Sequence, residues 1–497
     1  MEVIPSIRPV LAVLVSAVAA LLILFTGERR RTLREFWTLS AAVIKFSIVA
    51  SMIPPVLNGK VFEYTFISLF PGVAFQFRVD AFGLLFATLA SALWIATSFY
   101  SIGYMRGLQA QAQTRFFFCF AWALHGAVGI AFSSNLITLF IFYEILTVST
   151  FPLVAHKETA EAIQGGRKYL AYLLTGATLG MFSIALTYSL AGSLDFVPGG
   201  LLRGFEPSGL LQFLFIIFIL SFGTKAALMP IHEWLPTAMV APTPVSALLH
   251  AVAVVKAGVF CVLRIILYVF GPNLLVELDL WLALAYFASF TIIVSGMLAL
   301  AQDNLKRRLA FSTINNLAII ILGAALLSPS GITGSIFHIA AHGFMKITLF
   351  FAAGAIYVKT HKENISEMDG IGKKMPVTMA SFAVAAMGIA GTPPVAGFIS
   401  KWTLCLGSLE ANEILFLFVL LTSALLDIGY FFPIIYNAFF KKSRDESKPE
   451  LTEASPFMVV PIAACASVSI LLGIAPDAFV RFFSIASLAA KNVLGLN

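Results

Sequence analysis

Runs of Leu, Ile, Val, Phe and Ala recur from one end of the chain to the other, separated by short polar turns. Each run is about 18 to 25 residues long, enough at 1.5 Å per residue to cross a hydrocarbon layer of roughly 30 Å. About fourteen are present, centred near residues 17, 46, 90, 125, 145, 180, 219, 257, 288, 317, 344, 389, 425 and 465. Strand-like alternation is absent, so helices rather than a barrel are expected to satisfy the backbone within lipid. The pattern predicts an all-α polytopic membrane protein of about 14 transmembrane helices, with no segment able to form a soluble domain.

Two stretches depart from plain helix in the same way. In "FGTKAALMPIHEWLPTAMVAPTPV", Pro230, Pro236, Pro242 and Pro244 prevent one continuous seventh helix, and in "GIAGTPPVAGFISKWTL", Gly391, Pro393, Pro394 and Gly397 interrupt the twelfth. Proline removes a backbone donor and frees a carbonyl four residues back, which lipid cannot satisfy, so each break is expected to line a polar cavity. The interrupted spans lie five apart, each with a lysine nearby, the placement expected of an internal repeat. The division that follows is 1–110 for helices one to three, 111–270 for a first five-helix repeat, 271–440 for a second, and 441–497 for a cytoplasmic loop and helix fourteen.

Composition agrees with a membrane-embedded chain: 59% of residues are hydrophobic, 11% are charged and the mean hydropathy is +0.93. The net charge of +7 becomes a statement about topology once the charges are placed. With loops assigned alternately, one side collects Arg29 to Arg31, Arg34, Arg106, Arg115, Lys157, Arg167, Lys168, Lys306 to Arg308, Lys359, Lys362, Lys373, Lys374, Lys441, Lys442, Arg444 and Lys448. The other side holds Arg8, Lys60, Arg78, Arg203, Arg481 and Lys491, an asymmetry that predicts both termini on the non-cytoplasmic face. The first apolar run is followed by its basic cluster "ERRRTLRE", as in an anchor rather than a secretory leader. Cys119, Cys261, Cys405 and Cys465 lie singly inside spans and read as apolar filler, with neither a disulfide framework nor an iron–sulfur cluster indicated.

Candidate chemistry lies in the charges left inside spans. Glu144 in "FIFYEILTVSTF" needs a cationic partner within the bundle if it is to stay charged, and Lys225, beside the first break, is the natural one. Freed carbonyls of the break are expected to solvate its ammonium. An ordinary lysine keeps its proton at neutral pH, whereas desolvation favours the neutral amine and an approaching carboxylate the charged one. A Glu–Lys pair of variable separation is thus a proton-loading switch, and a static pair joining two helices is the rival reading.

In "SALLHAVAVVKAGVF", His250 and Lys256 are six apart, which turns them about 120° from each other on a helix. Lys256 is read as a relay, and His250 as either a relay or a satisfied core histidine. His338, His342 and Lys346 in "FHIAAHGFMKI" recur at i, i+4 and i+8 and form one titratable stripe. Zinc ligation by the two histidines is the rival there, but no carboxylate or cysteine accompanies them. Lys401 follows the second break and ends the row. Arg264 can snorkel and reads as structural, His125 as packing, and Lys45 and Asp427 have no specific role beyond a secondary water path.

The stretches "FYEILTVSTFPLVAH", "KAALMPIHEWLPTAMVAPTPVSALLHAVAVVKAGV", "HGFMKITLFFAAG" and "IGKKMPVTMASFAVAAMGIAGTPPVAGFISKW" resemble the antiporter-like subunits shared by respiratory complex I, Mrp cation/proton antiporters and membrane-bound hydrogenases. The resemblance covers roughly residues 70 to 440. It implies fourteen helices with two inverted five-helix repeats, interrupted helices seven and twelve, and a central hydrophilic axis. Residue by residue it places Glu144 as the fifth-helix glutamate, Lys225 and Lys256 as the seventh- and eighth-helix lysines, and Lys401 as the twelfth-helix charge. His338, His342 and Lys346 fall where eleventh-helix relay residues are expected. Lysine at 401 favours a likeness to the D-type Mrp protein, whereas "HAVAVVKAGV" is closer to A-type and hydrogenase-type members. The chain ends soon after its fourteenth span, so no lateral helix is expected.

Together these readings lead to the expectation of a proton-translocating subunit of a multisubunit inner-membrane complex, either Mrp-type or a pump module of an NADH:quinone oxidoreductase-like or hydrogenase-like assembly. Its expected partners are homologous and small membrane subunits, membrane lipid and protons, with sodium a further candidate ion and nucleic acid excluded. No cofactor or metal is expected on this chain, and any redox site belongs to other subunits.

Overall fold

The computed structural model describes residues 2–442, 451–478 and 480–496. Leaving short helical turns unlabelled, the chain runs β1 (Glu2–Pro5), α1 (Arg8–Thr26), α2 (Arg31–Ala50), β2 (Lys60–Phe70), β3 (Val73–Val79), α3 (Ala81–Gly107), α4 (Gln113–Phe132) and α5 (Leu136–Val154). It continues with α6 (Ala160–Ala191), α7 (Gly209–Lys225), α8 (Thr243–Phe270), α9 (Leu280–Leu300), α10 (Leu305–Ala325) and α11 (Pro329–Thr360). The last elements are α12 (Pro376–Ala390), α13 (Ala396–Glu410), α14 (Ile414–Phe440), α15 (Pro456–Ile474) and α16 (Phe482–Leu494).

Twelve helices among the described residues are long and apolar enough to cross a membrane. The seventh apolar run falls short because α7 stops at Lys225, and the twelfth because it is divided into α12 and α13. The protein is thus a multi-pass membrane protein, interrupted where the proline-rich stretches predict. Polar caps begin several helices: Asp80 Oδ1 accepts from the Gly83 amide at 2.7 Å, and Asn135 Oδ1 from that of Thr138 at 2.9 Å.

The helices differ in how they meet their surroundings. The most apolar stretches of α8, α10 and α11 are wholly buried, whereas no more than half of the residues in those of α1, α2, α9, α14 and α15 are buried. α14 shows the division clearly: Leu425, Ile428 and Phe432 are exposed, and Asp427, Tyr430 and Phe431 are buried. In lipid both faces are apolar, so the buried face is marked by its polar residues. α11 lies at the centre, packed against α3, α10, α12, α13, α15 and α16.

Two close approaches fix the breaks. Gly258 of α8 is pressed against the end of α7, where a Cβ would stand 2.3 Å from the Ala226 nitrogen. A Cβ on Gly397 would stand 1.8 Å from the Gly388 carbonyl oxygen, so only glycine lets α13 start so near the end of α12.

The spans are helical as expected, and one stretch between them departs from the all-α pattern. β2 and β3 form an antiparallel hairpin, with Glu63 opposite Arg78 and the two side chains ion-paired, and β1 adds in parallel. The segment "VFEYTFISLFPGVAFQFRV" lies between spans, so its aromatic residues pack on one another and on α5 rather than crossing lipid. α16 was likewise unforeseen. At 13 residues, or about 20 Å, it is too short to cross a bilayer and packs against α3 and α11.

The basic loops meet at one end of the bundle. Arg34 donates to Gln113 Oε1 at 2.7 Å, Arg115 to the His156 carbonyl at 2.9 Å, and Lys306 to the Ala241 carbonyl at 3.0 Å. Arg444 and Lys448 lie outside the described residues.

Candidate functional site

α7 ends at Lys225, and its ammonium turns into α5. Nζ donates to the Tyr143 carbonyl at 2.9 Å and to Thr147 Oγ1 at 3.0 Å, and lies 3.3 Å from the centroid of the Tyr143 ring. These acceptors correct the expectation that carbonyls freed by the break solvate the amine. At the break, the Thr224 carbonyl is taken instead by Trp234 Nε1 at 2.8 Å. A direct Glu144–Lys225 ion pair is not formed either. Residues 143 and 147 share one face of α5, while position 144 is turned about 100° away. Glu144 is half-buried and its Oε1 has no hydrogen-bond partner.

α8 is not a uniform helix. Its turns at Leu248–Val252 and Ile265–Phe270 are π-helical, and Ala253 between the first of these and the next α-segment has φ −119° and ψ −76°. A π-turn shifts the register of everything after it. Lys256 is thereby presented to α11, where Nζ lies 2.7 Å from His342 Nδ1. His250 is buried with no partner on either ring nitrogen, its ring 4.7 Å from that of Phe350. It is not hydrogen-bonded to the row, so its relay role has no direct geometric support.

The stripe on α11 stands as the spacing predicts, with all three side chains fully buried. The rings of His338 and His342 are 5.9 Å apart between centroids. His338 bonds Ser400 Oγ through Nδ1 at 2.8 Å and Asn316 Oδ1 through Nε2 at 3.2 Å. Asn316 Nδ2 donates to the Ser312 carbonyl at 2.8 Å, which leaves its oxygen to accept and makes His338 Nε2 the donor. Lys346 Nζ donates to Ser312 Oγ at 2.8 Å.

Lys401 on α13 is ion-paired with Asp427, Nζ to Oδ2 at 2.6 Å. Asp427 Oδ1 also accepts from the Tyr430 hydroxyl, and Tyr430 Oη lies 2.8 Å from Ser312 Oγ. The reading of Asp427 as a residue without a specific role is thus corrected: it holds Lys401 and sits on the same axis. Tyr430, Ser312, Asn316 and Ser400 were not foreseen. For Tyr430, Ser312 and Asn316 the signal is the i, i+3 pairing of Asp427 with Tyr430 and the i, i+4 pairing of Ser312 with Asn316, each on one helix face.

Three other polar side chains lie off this row. Lys45 is buried and donates to Ser16 Oγ at 2.7 Å and the Leu124 carbonyl at 3.2 Å. His125 bonds the Val13 carbonyl at 3.0 Å, a packing role as expected. Arg264 does not snorkel. It is buried in a two-pronged pair with Asp80 at 2.5 and 2.8 Å, ringed by Phe82, Phe196, Phe260 and Tyr268, because Asp80 at the start of α3 offers a fixed carboxylate. The four cysteines are free. No cluster of three or more His, Cys, Asp or Glu among the described residues could hold a metal ion.

A chain of buried amines, imidazoles, hydroxyls and one carboxylate can pass protons through lipid depth, and relatives with the same architecture are known. Residues 133–426 match the family described as NADH:quinone oxidoreductase/Mrp antiporter, TM. NADH-quinone oxidoreductase subunit N of Desulforudis audaxviator (strain MP104C) is 30% identical over 423 residues, covering 82% of this chain and 81% of that protein. The A/B subunit of a probable K(+)/H(+) antiporter of Rhizobium meliloti (strain 1021) is 30% identical over 477 residues, covering 93% of this chain but 46% of its own length. The structure of the Mrp complex from Dietzia sp. DQ12-45-1b contains a chain that superposes with a TM-score of 0.86 at 19% identity, covering 98% of this chain and 97% of that one, a likeness of fold. The chain therefore belongs to the NADH:quinone oxidoreductase/Mrp antiporter transmembrane family, as an antiporter-like membrane subunit.

Proposed function

We propose that the chain translocates protons as a member of a multisubunit monovalent cation/proton antiporter complex, in the manner of the D-type Mrp protein. The observation that carries this reading is the 2.7 Å bond between Lys256 and His342, which joins two wholly buried helices through two titratable groups. Protons load near Glu144 and Lys225, move through Lys256, His342, His338 and Lys346, and leave by Lys401. Apart from the half-buried Glu144, each of these side chains is buried within the protein and bonded to it rather than facing lipid, as charges at membrane depth require. Sodium is exchanged elsewhere in the complex, because a row of lysines repels a metal cation while protons hop along it.

Residues 111–270 and 271–440 act as inverted repeats, each contributing one interrupted helix. The basic end faces the cytoplasm of an inner membrane and the termini the opposite side. Other membrane subunits complete the assembly, a reading supported by the likeness of fold to a chain of the Mrp complex. A second reading is a proton-pumping membrane subunit of an NADH:quinone oxidoreductase-like complex. The Desulforudis audaxviator relative favours it, since the two chains match over most of both lengths.

Proton flux measured in vesicles holding the whole assembly tests the route. Glu144→Ala is expected to lower flux by about tenfold or more at unchanged assembly, the scale of losing one acid–base group. Unchanged flux removes Glu144 from the path.

A further inference from the structure

We propose that Asp427 and Tyr430 of α14 form the link that carries each proton between Lys346 and Lys401. The inference rests on the proton-translocation reading above and adds to it the step that the α11 stripe and Lys401 leave open. No hydrogen bond joins the two lysines, or joins Ser400 to the Lys401 amine, among the described residues. The Ser400 hydroxyl is occupied by the Ala396 and Gly397 carbonyls at 3.4 and 3.1 Å and by His338, so that branch stops short.

The other branch is continuous. Lys346 Nζ reaches Ser312 Oγ at 2.8 Å, Tyr430 Oη lies 2.8 Å from the same oxygen, the Tyr430 hydroxyl bonds Asp427 Oδ1, and Asp427 Oδ2 meets Lys401 Nζ at 2.6 Å. Ser312, Tyr430 and Asp427 are fully buried. Tyr430 is held in place by its own backbone, whose carbonyl accepts from the Arg308 guanidinium at 2.8 Å.

The step balances with one proton and no other reactant. The Lys346 ammonium gives a proton to Ser312 Oγ as the serine gives its own to Tyr430 Oη and the tyrosine gives its own to Asp427. Lys346 is left as the neutral amine and Asp427 as the carboxylic acid. Asp427 then passes the proton to a neutral Lys401, regenerating the carboxylate and forming the ammonium. Rotation of the two hydroxyls resets the link. The carboxylate serves as the intermediate acceptor because it is the group bonded both to the Tyr430 hydroxyl and to the Lys401 amine.

Tyr430→Phe removes only the hydroxyl and keeps both the ring and the Asp427–Lys401 pair. Flux in vesicles containing the whole complex is expected to fall about tenfold or more in Tyr430→Phe and in Ser312→Ala. The double variant is expected to be no worse than the poorer single one, and Ser312→Thr, which restores a hydroxyl, is expected to recover flux. If Tyr430→Phe and Ser312→Ala stay within twofold of the native rate while Lys225→Ala loses it, the link is overturned and the translocation reading stands. Damage in Asp427→Asn with a normal Tyr430→Phe also overturns it, since Asp427 is then only a fixed counter-ion. If Lys225→Ala too keeps its flux, the translocation reading falls and the link with it.

Discussion

Lys256 on α8 and His342 on α11 are bonded directly, Nζ to Nδ1 at 2.7 Å, and neither side chain has another hydrogen-bond partner among the described residues. The π-turn at Leu248–Val252 sets this contact, because without the extra residue the amine would leave α8 at a different angle. The bond joins the two segments of chain proposed as repeats, so the proposed route crosses from one to the other through this pair.

A single pair predicts strong coupling. Lys256→Ala and His342→Ala are each expected to lower proton flux about tenfold or more, and the double variant to be no slower than the worse single one. Flux per assembled complex in vesicles measures both. Multiplying effects would mean that the two residues serve separate routes.

Gly397 gives a prediction about assembly rather than transport. A Cβ there would collide with the Gly388 carbonyl, and backbone cannot move aside as the end of a side chain can. Gly397→Ala is expected to cost about 1–3 kcal/mol or more by overpacking, read as earlier thermal unfolding of the purified complex. Native stability in this variant would mean that the break can open without loss.

Arg264 and Asp80 are a buried pair away from the row. Arg264→Met leaves the Asp80 charge uncompensated and is expected to destabilise the protein by about 3–5 kcal/mol, while flux per folded complex stays at the native rate. Thermal unfolding together with flux separates the two effects. A loss of flux at full stability would instead place this pair in the transport path.

The spans and their two interruptions were legible because the signals are strong: unbroken apolar length for one, clustered proline and glycine for the other. Lys225, Lys256, His338, His342, Lys346 and Lys401 stood out because charge is costly at membrane depth, whatever its neighbours. Which acceptor each finds was not legible. Lys225 turns to Tyr143 and Thr147 rather than Glu144 because of helix rotation, and Lys256 reaches His342 through a π-turn that no residue pattern announces. Asp427 appeared idle because its cationic partner, Lys401, lies on another helix, and the Tyr430 hydroxyl that also bonds it continues to Ser312 on a third. The β2–β3 hairpin was hidden because an aromatic-rich segment among so many apolar runs gives little contrast.

His156 lies just past the end of α5, at the basic end of the bundle, buried with Nδ1 unpartnered and its ring edge-on to Phe116. Burial first, and then the Arg115 guanidinium, lower its pKa from the ordinary 6.5 to about 4. A histidine depressed in this way stabilises the fold fully above its unfolded pKa near 6.5, and that contribution is lost as pH falls through about 4. Over that window the loss approaches about 3 kcal/mol. His156→Phe keeps a ring against Phe116 and removes the titration. Thermal unfolding of the complex at pH 7.5, 6 and 5 is expected to show the native protein losing Tm on acidification more steeply than the variant. Parallel slopes would mean that His156 is solvated in the folded protein.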